Sequence, residues 1–110
     1  METIKKIQGT VTLKTGATIL CEGIPATLEI TSGGPVISWA MHEVPSLVDL
    51  DDVAEIMKRE SLIQFDFKPQ AASQDVNGQA FINRAAGLDE GTAISLTGRG
   101  ELRGVDLNNL

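Results

Sequence analysis

The sequence predicts a mainly β (α+β) protein: an antiparallel β-sandwich, or a rolled sheet or barrel, with one short flanking helix at about residues 49–59. Apolar and polar residues alternate over several short stretches. Eleven glycines and four prolines separate these stretches at strand-length intervals. One segment has the helical period instead. Because 110 residues have room for one core, we expect residues 1–110 to form a single β-rich domain.

The first half of the chain predicts four strands bounded by glycine and proline turns, over residues 7–13, 17–22, 26–31 and 36–41. Gly23-Ile24-Pro25 separates the second strand from the third. Side chains at alternate positions of three of these strands are expected to share one face of their strand: Ile7, Val11, Leu13, Ala26, Leu28, Ile30, Ile37, Trp39 and Met41.

The helix is predicted from apolar residues at the spacing i, i+3, i+4 and i+7, which lie on one helical face: Leu50, Val53, Ala54 and Met57. Asp49 is expected to be its N-cap. Acidic residues in the first turn and basic residues in the last turn complement the helix dipole.

Three further strands are predicted over residues 63–67, 79–84 and 92–102. A polar loop over residues 69–78, closed by Asn77-Gly78, is expected between the first two. The side chains expected in the core here are Ile63, Phe65, Phe67, Ile94 and Leu96.

The charge pattern argues against a surface that grips nucleic acid. Between Lys14 and Lys58 the chain has seven carboxylates and no lysine or arginine, and its net charge is −6. Binding to DNA or RNA depends on basic side chains that neutralise phosphates. Trp39 and Phe81 are the only rings outside the expected core that could stack on bases.

The carboxylates of Asp49, Asp51 and Asp52 form the most concentrated candidate metal site. They lack the spacing of a calcium-binding loop, and they also suit the positive end of a helix. We therefore expect them to favour the helix, and we predict no metal-binding residue.

Other candidates for chemistry are isolated in the sequence. His42, followed by Glu43, could be a general base, but neither Ser38 nor Ser46 lies in a nucleophile motif, so we expect a structural histidine. Cys21 is the only cysteine and lies in an apolar run, which favours a buried, unreactive thiol.

The remaining candidates favour turns and surfaces. Asp89-Glu90 is expected in a solvated turn. Gly98-Arg99-Gly100 lacks the spacing of a phosphate-binding loop and favours a bulge or a close approach. Arg84 and Arg103, with Arg99, predict a modest basic side. We predict no enzyme, no catalytic or cofactor-binding residue and no cofactor.

Two known architectures suit this order of elements. The closing run, residues 91–102, looks like the last strand of the five-stranded OB barrels that bind single-stranded nucleic acid. Other stretches resemble the tail tube proteins of contractile-tailed phages and related injection systems: Ile7-Gln8-Gly9-Thr10-Val11-Thr12-Leu13, Leu50 to Met57, Asn77-Gly78-Gln79-Ala80-Phe81-Ile82-Asn83-Arg84-Ala85 and Gly91 to Gly98.

The tail tube resemblance implies stacked rings of six subunits that lend strands to a common inner barrel with an acidic lumen, through which DNA or effectors pass. It implies a homo-oligomer with other assembly proteins as partners, located in the virion or the host cytoplasm. The loop 69–78 and the tail residues Leu107 and Leu110 are the expected contacts. The alternatives are an OB-fold single-strand binder and a small acidic inhibitor that mimics DNA.

The start of the sequence lacks the apolar core of a signal peptide. No apolar stretch approaches the ~20 residues of a membrane-spanning helix. We therefore expect no secretion by a signal peptide and no membrane span.

Overall fold

The computed structural model describes residues 3–32, 38–70 and 75–104, with backbone alone at 99–101. These residues form six strands and one helix in this order: β1 (Thr3–Thr15), β2 (Thr18–Ser32), β3 (Ser38–Ser46), α1 (Leu50–Lys58), β4 (Ile63–Pro69), β5 (Val76–Gly87) and β6 (Thr92–Arg103). The tail residues Leu107 and Leu110, and Ile37 of the fourth predicted strand, lie outside the described residues.

The six strands form a closed barrel in the order β1-β2-β3-β6-β5-β4, in which β4 pairs back to β1. Each neighbouring pair is antiparallel. The predicted mainly β class with one helix is therefore confirmed, and of the predicted architectures the structure has the barrel. It has six strands, whereas an OB fold has five.

The predicted break at Gly23-Ile24-Pro25 is wrong, because β2 runs continuously through it. Gly23 has φ of +62°, a conformation that glycine adopts without strain. Its N–H donates to Thr12 Oγ1 at 3.1 Å, and the register with β1 shifts beside it. The residues therefore form an irregularity within one long strand.

Two strand boundaries also differ from the prediction. β3 continues past Met41 to Ser46 across a register shift at His42–Glu43, where Glu43 has φ of +52°. The predicted loop 69–78 is shorter than expected, because Asn77 and Gly78 belong to β5 and pair with Asp66 and Phe65 of β4. Residues 71–74 of that loop lie outside the described residues.

The barrel interior is formed by the side chains that the alternating pattern predicts. Ile7 and Ala26 are only partly buried and pack at its margin. The residues at these alternating positions that are buried are Val11, Leu13, Leu28, Ile30, Trp39, Met41, Ile63, Phe65, Phe67, Ile94 and Leu96. Burial of each such side chain contributes about 1.5–3 kcal/mol to folding, before the entropy cost of ordering it.

The helix α1 packs against β5 through a face that differs in part from the prediction. Val53 is completely buried and Met57 is partly buried, as expected. Ala54 is exposed, and Ile56 packs against the core in its place. Leu50 is 42% exposed. Among the described residues, no helix combines the length and the apolar character needed to cross a membrane.

The ends of α1 are stabilised mainly by the backbone. Asp49 occupies the N-cap position in an extended conformation, but its side chain makes no capping hydrogen bond. At the other end, the N–H of Glu60 donates to Met57 O at 3.0 Å and that of Ser61 donates to Ile56 O at 3.2 Å. This pair of bonds defines a Schellman motif.

Candidate functional site

The aspartates that the sequence suggested as a metal site are exposed in and just before the first turn of α1. Within the described part of the chain, no group of three or more histidine, cysteine or acidic side chains is arranged to hold a metal ion. Asp51 and Asp52 lie where the helix dipole favours negative charge. Asp52 also lines a groove beside the helix, as does Asp49.

His42 is an exposed residue on the outer barrel wall, as expected of a structural surface histidine. Its Nε2 lies 2.8 Å from Glu29 Oε2 on the neighbouring strand, and Lys6 Nζ lies 3.6 Å from Glu29 Oε1. Ser46 is separate from this cluster, because its Oγ is buried and donates to Leu20 O at 2.7 Å. Ser38 is exposed at the start of β3. Among the described residues, neither serine is hydrogen-bonded to His42.

The Cys21 thiol is buried on β2, as the sequence predicts. Burial raises the pKa of the Cys21 thiol to about 11, partly opposed by a hydrogen bond with the backbone at Leu13. Since the thiolate is the reactive form, such a thiol is a poor nucleophile at neutral pH.

Trp39 was expected to be available for stacking, and this expectation is wrong because the side chain is 5% exposed. Its indole ring lies directly over Gly98 of β6, where any Cβ would overlap it. Gly98 therefore permits a close approach, as predicted, and the group that approaches it is the indole ring of Trp39. The Trp39 Nε1 atom is buried and has no hydrogen-bond partner among the described residues. Phe81 is half-buried and lines a cavity of about 320 Å³ beside α1.

The barrel topology sorts the remaining surface residues into two ends. Because adjacent strands are antiparallel, the β1–β2 turn, the α1 region and the β5–β6 turn lie at one end. We call this set, residues 16–17, 47–62 and 88–91, the helix end. The opposite end is here called the N-terminal end. It contains the start of β1, the ends of β2, β4 and β6, and the starts of β3 and β5.

The helix end is acidic and apolar. It has seven carboxylates, including the predicted turn residues Asp89 and Glu90, and two basic side chains, Lys58 and Arg59. A third basic residue, Lys14, borders this end opposite Ile19. Leu47 is 87% exposed there. Of the exposed large hydrophobic residues in the described structure, most belong to this end or border it: Ile19, Leu47, Leu50, Leu62 and Leu88.

Among the described residues, the N-terminal end has the opposite charge balance. Its described charged side chains are four basic ones and two carboxylates, Glu29 and Asp75, and all four basic residues are exposed: Lys5, Lys6, Lys68 and Arg103. Ile4, which is 61% exposed, is the large apolar residue on this end. Sequence reasoning missed both end surfaces, although apolar residues placed in connections, such as Leu47 and Leu88, were a signal for the first.

Strand β1 extends beyond its neighbour in the barrel. Its ladder with β4 covers Gly9–Lys14, and the Gln8 carbonyl accepts a further bond from Gln70 N at 2.8 Å. Among the described residues, Thr3–Ile7 therefore pair on one side only, with β2. Such a one-sided stretch presents backbone donors and acceptors for another strand.

The described residues thus form a closed six-stranded antiparallel barrel with one helix, a stretch of β1 that pairs on one side and two ends that differ in charge balance. Compared with protein-family models, with curated proteins and with solved structures, the chain gives no match.

Proposed function

We propose that the chain is a non-enzymatic structural subunit that assembles with copies of itself, as a phage-type tail tube subunit in stacked rings with an acidic lumen. The observation that carries the proposal is that Thr3–Ile7 of β1 pair on one side only among the described residues. A strand of a second subunit that adds there would satisfy the open donors and acceptors. The net charge of −6 suits a lumen that does not retain DNA.

A one-sided stretch of β2 is less suited to strand addition. Residues Thr18–Thr27 of β2 have no ladder partner in β3 among the described residues. Pro25 lies within this stretch and Pro45 lies on the facing part of β3. Proline has no N–H to donate, and proline on an open strand edge commonly prevents another strand from pairing there.

The charges on β1 favour a ring over a symmetric dimer. Lys5 and Lys6 lie in the one-sided stretch, so two such stretches placed together would bring like charges face to face. The stretch therefore pairs with a different surface of its neighbour. A contact between two different surfaces propagates from copy to copy and gives a ring when the rotation closes.

The test compares Ile4→Pro with Lys5→Pro by light scattering and electron microscopy. Successive N–H groups of a strand point to opposite sides. One substitution therefore removes a donor of the β1–β2 ladder, and the other removes a donor of the open edge. We expect wild-type rings, and we expect one of the two variants to lose assembly while its melting temperature stays close to wild type.

Two results would contradict the proposal. One is a wild-type protein that stays a strict monomer at high concentration with no rings in micrographs. The other is salt-sensitive, micromolar binding of a labelled single-stranded oligonucleotide by fluorescence anisotropy, which would support a nucleic-acid-binding module instead.

A further inference from the structure

We infer that the cavity between the end of α1 and strand β5 binds a small organic cation, an ammonium group on an apolar body, with Glu60 facing the charge and Phe81 facing the body. The inference goes beyond the proposed function, because the cavity is separate from the stretch Thr3–Ile7. Two independent observations carry it, the composition of the cavity lining and the strained backbone of Glu60.

The cavity has a volume of about 320 Å³, which is at the small end of the range for ligand pockets. Ile82 is buried, and Ile56 and Met57 are partly buried and pack against the core. The described residues that line the cavity are apolar except for two: Ile56, Met57, Phe81, Ile82, Glu60 and Ser61. The cavity therefore has an apolar side held by the core and a polar side formed by the two residues that follow the helix cap.

Phe81 faces outward from the barrel wall. Its neighbours Ala80 and Ile82 are buried, and side chains alternate between the two faces of a strand. The residues two positions away along β5, Gln79 and Asn83, are polar and exposed. The ring therefore places an apolar surface on a polar stretch of the outer wall, where it forms one side of the cavity.

Glu60 is the charged side chain in the described lining of the cavity. It is exposed, and the salt bridges among the described residues do not include it. Its carboxylate and the Ser61 hydroxyl can both accept hydrogen bonds from an ammonium group. Charge complementarity therefore favours an organic cation over a neutral or anionic ligand of the same shape.

The backbone of Glu60 is the second observation. It has φ of +52° at a position after a helix that glycine usually occupies. Any side chain at this position costs stability that a glycine would save. Residues held in such strained conformations cluster at ligand-binding and active sites. A carboxylate kept there against its backbone preference is expected if the cavity uses its charge.

The test titrates three ligands of equal chain length and different charge into isotope-labelled protein, followed by NMR: hexylammonium, hexanol and hexanoate. We expect hexylammonium to shift the amide signals of Glu60, Ser61 and Phe81 with a dissociation constant on the order of 1 mM, as suits a ligand of this size. Hexanol should bind at least about threefold more weakly, because it lacks the charge. Hexanoate should bind more weakly still, because its charge has the same sign as that of Glu60.

Variants of Glu60 separate the charge from the fold. Glu60→Gln keeps a strained side chain but removes the charge, so it should weaken hexylammonium binding about threefold to fivefold and leave hexanol binding unchanged. Glu60→Gly should weaken binding at least as much while raising the melting temperature, so its loss of binding cannot come from unfolding. The matched control Glu90→Gln removes an exposed carboxylate outside the cavity and should bind hexylammonium like the wild type.

Four outcomes overturn the inference. Equal affinities for the three ligands, or for wild type and Glu60→Gln, would show that the carboxylate selects no cation. Shifts confined to other amides would place the binding elsewhere, and shifts that never saturate would show no site. Tighter binding of Nα-acetyl-lysine amide than of hexylammonium would assign the cavity to a lysine side chain of a protein partner. Each outcome leaves the proposed assembly through Thr3–Ile7 in place, because that is tested by light scattering and microscopy.

Discussion

At the scale of single residues, the packing of Trp39 on Gly98 shows how one side chain depends on the absence of another. The indole is the only tryptophan of the chain and fills the barrel interior at the β3–β6 boundary. Its ring occupies the volume in which a side chain at position 98 would lie. The glycine is therefore required by packing, whereas its sequence context suggested only a local backbone feature.

We expect Gly98→Ala to destabilise the fold by about 1–3 kcal/mol, because the methyl group must displace the Trp39 ring or the strand. Guanidinium unfolding followed by Trp39 fluorescence measures this loss, and the native emission of the variant should shift to the red. The matched control is Gly87→Ala, whose Cβ would lie 3.5 Å from Leu50 Cδ2 in an ordinary contact. Equal stabilities for the two variants would contradict the packing argument.

Cys21 gives a second prediction at this scale, on reactivity. The thiol is 5% exposed, and burial raises its pKa to about 11. At pH 8 a disulfide reagent such as DTNB should label the native protein at least about 100-fold more slowly than the unfolded chain, whose cysteine has a pKa near 8.5. Labelling of the native protein at the unfolded rate would show that the thiol is accessible.

The same pKa shift predicts the sign of a pH dependence. The folded state holds the Cys21 proton more tightly than the unfolded state does, so ionisation favours unfolding. This contribution to stability is complete below about pH 8.5 and is lost as the pH rises toward 11. The difference in unfolding free energy between wild type and Cys21→Ala should shrink over that range. A constant difference would contradict the shift.

At the scale of elements, the end of α1 is the most informative feature. Glu60 follows the helix in the left-handed region, with φ of +52°, and supplies the first bond of the Schellman motif. Glycine usually occupies this position because other residues are strained there. The Schellman motif thus forms through its backbone hydrogen bonds, although the Glu60 side chain makes this backbone conformation strained.

Glu60→Gly should therefore stabilise the protein by about 0.5–1 kcal/mol, through relief of that strain. Urea unfolding at constant slope measures the change. Glu60→Gln removes the charge but keeps a side chain with the same strain, so it should leave stability within about 0.5 kcal/mol of wild type. If Glu60→Gln raised the unfolding free energy as much as Glu60→Gly does, the effect would come from the charge and not from the backbone conformation.

The elements also show where sequence patterns are sufficient and where they fail. Phe65 and Phe67 were placed in the core because period-two alternation fixes which face a strand buries. Gly23-Ile24-Pro25 was misread as a strand break, because the same residues that end strands also form irregularities inside them. The pairing partner on β1 decides between the two, and it is distant in sequence.

At the scale of the whole molecule, the alternating strand directions produce the polarity of the surface. The sequence contains an acidic first half, but the acidic Asp89 and Glu90 belong to the second half and join the same end. The described basic residues Lys5, Lys68 and Arg103 come from three separate strands and gather at the opposite end. This distribution therefore follows from the direction and order of the strands in the barrel.

The candidate contact surfaces were the part that sequence reasoning placed least well. Parts of the expected contacts, residues 71–74, Leu107 and Leu110, lie outside the described residues. The one-sided stretch of β1 was not foreseen, because the length of a strand does not show how much of it each neighbour covers. That coverage depends on the register of two ladders, of which the one with β4 joins residues from Gly9↔Pro69 to Lys14↔Gln64, pairs that are far apart in the sequence.

The sequence by itself determined the mainly β class, the one helix and most of the buried positions, because periodicity and turn chemistry are local properties that each strand or helix carries alone. Only the tertiary structure decided that the strands close into a six-stranded barrel, that Trp39 is buried over Gly98, and that charge divides between two ends. These features depend on which strands pair and in what register, and the free energy that selects them comes from contacts between distant residues.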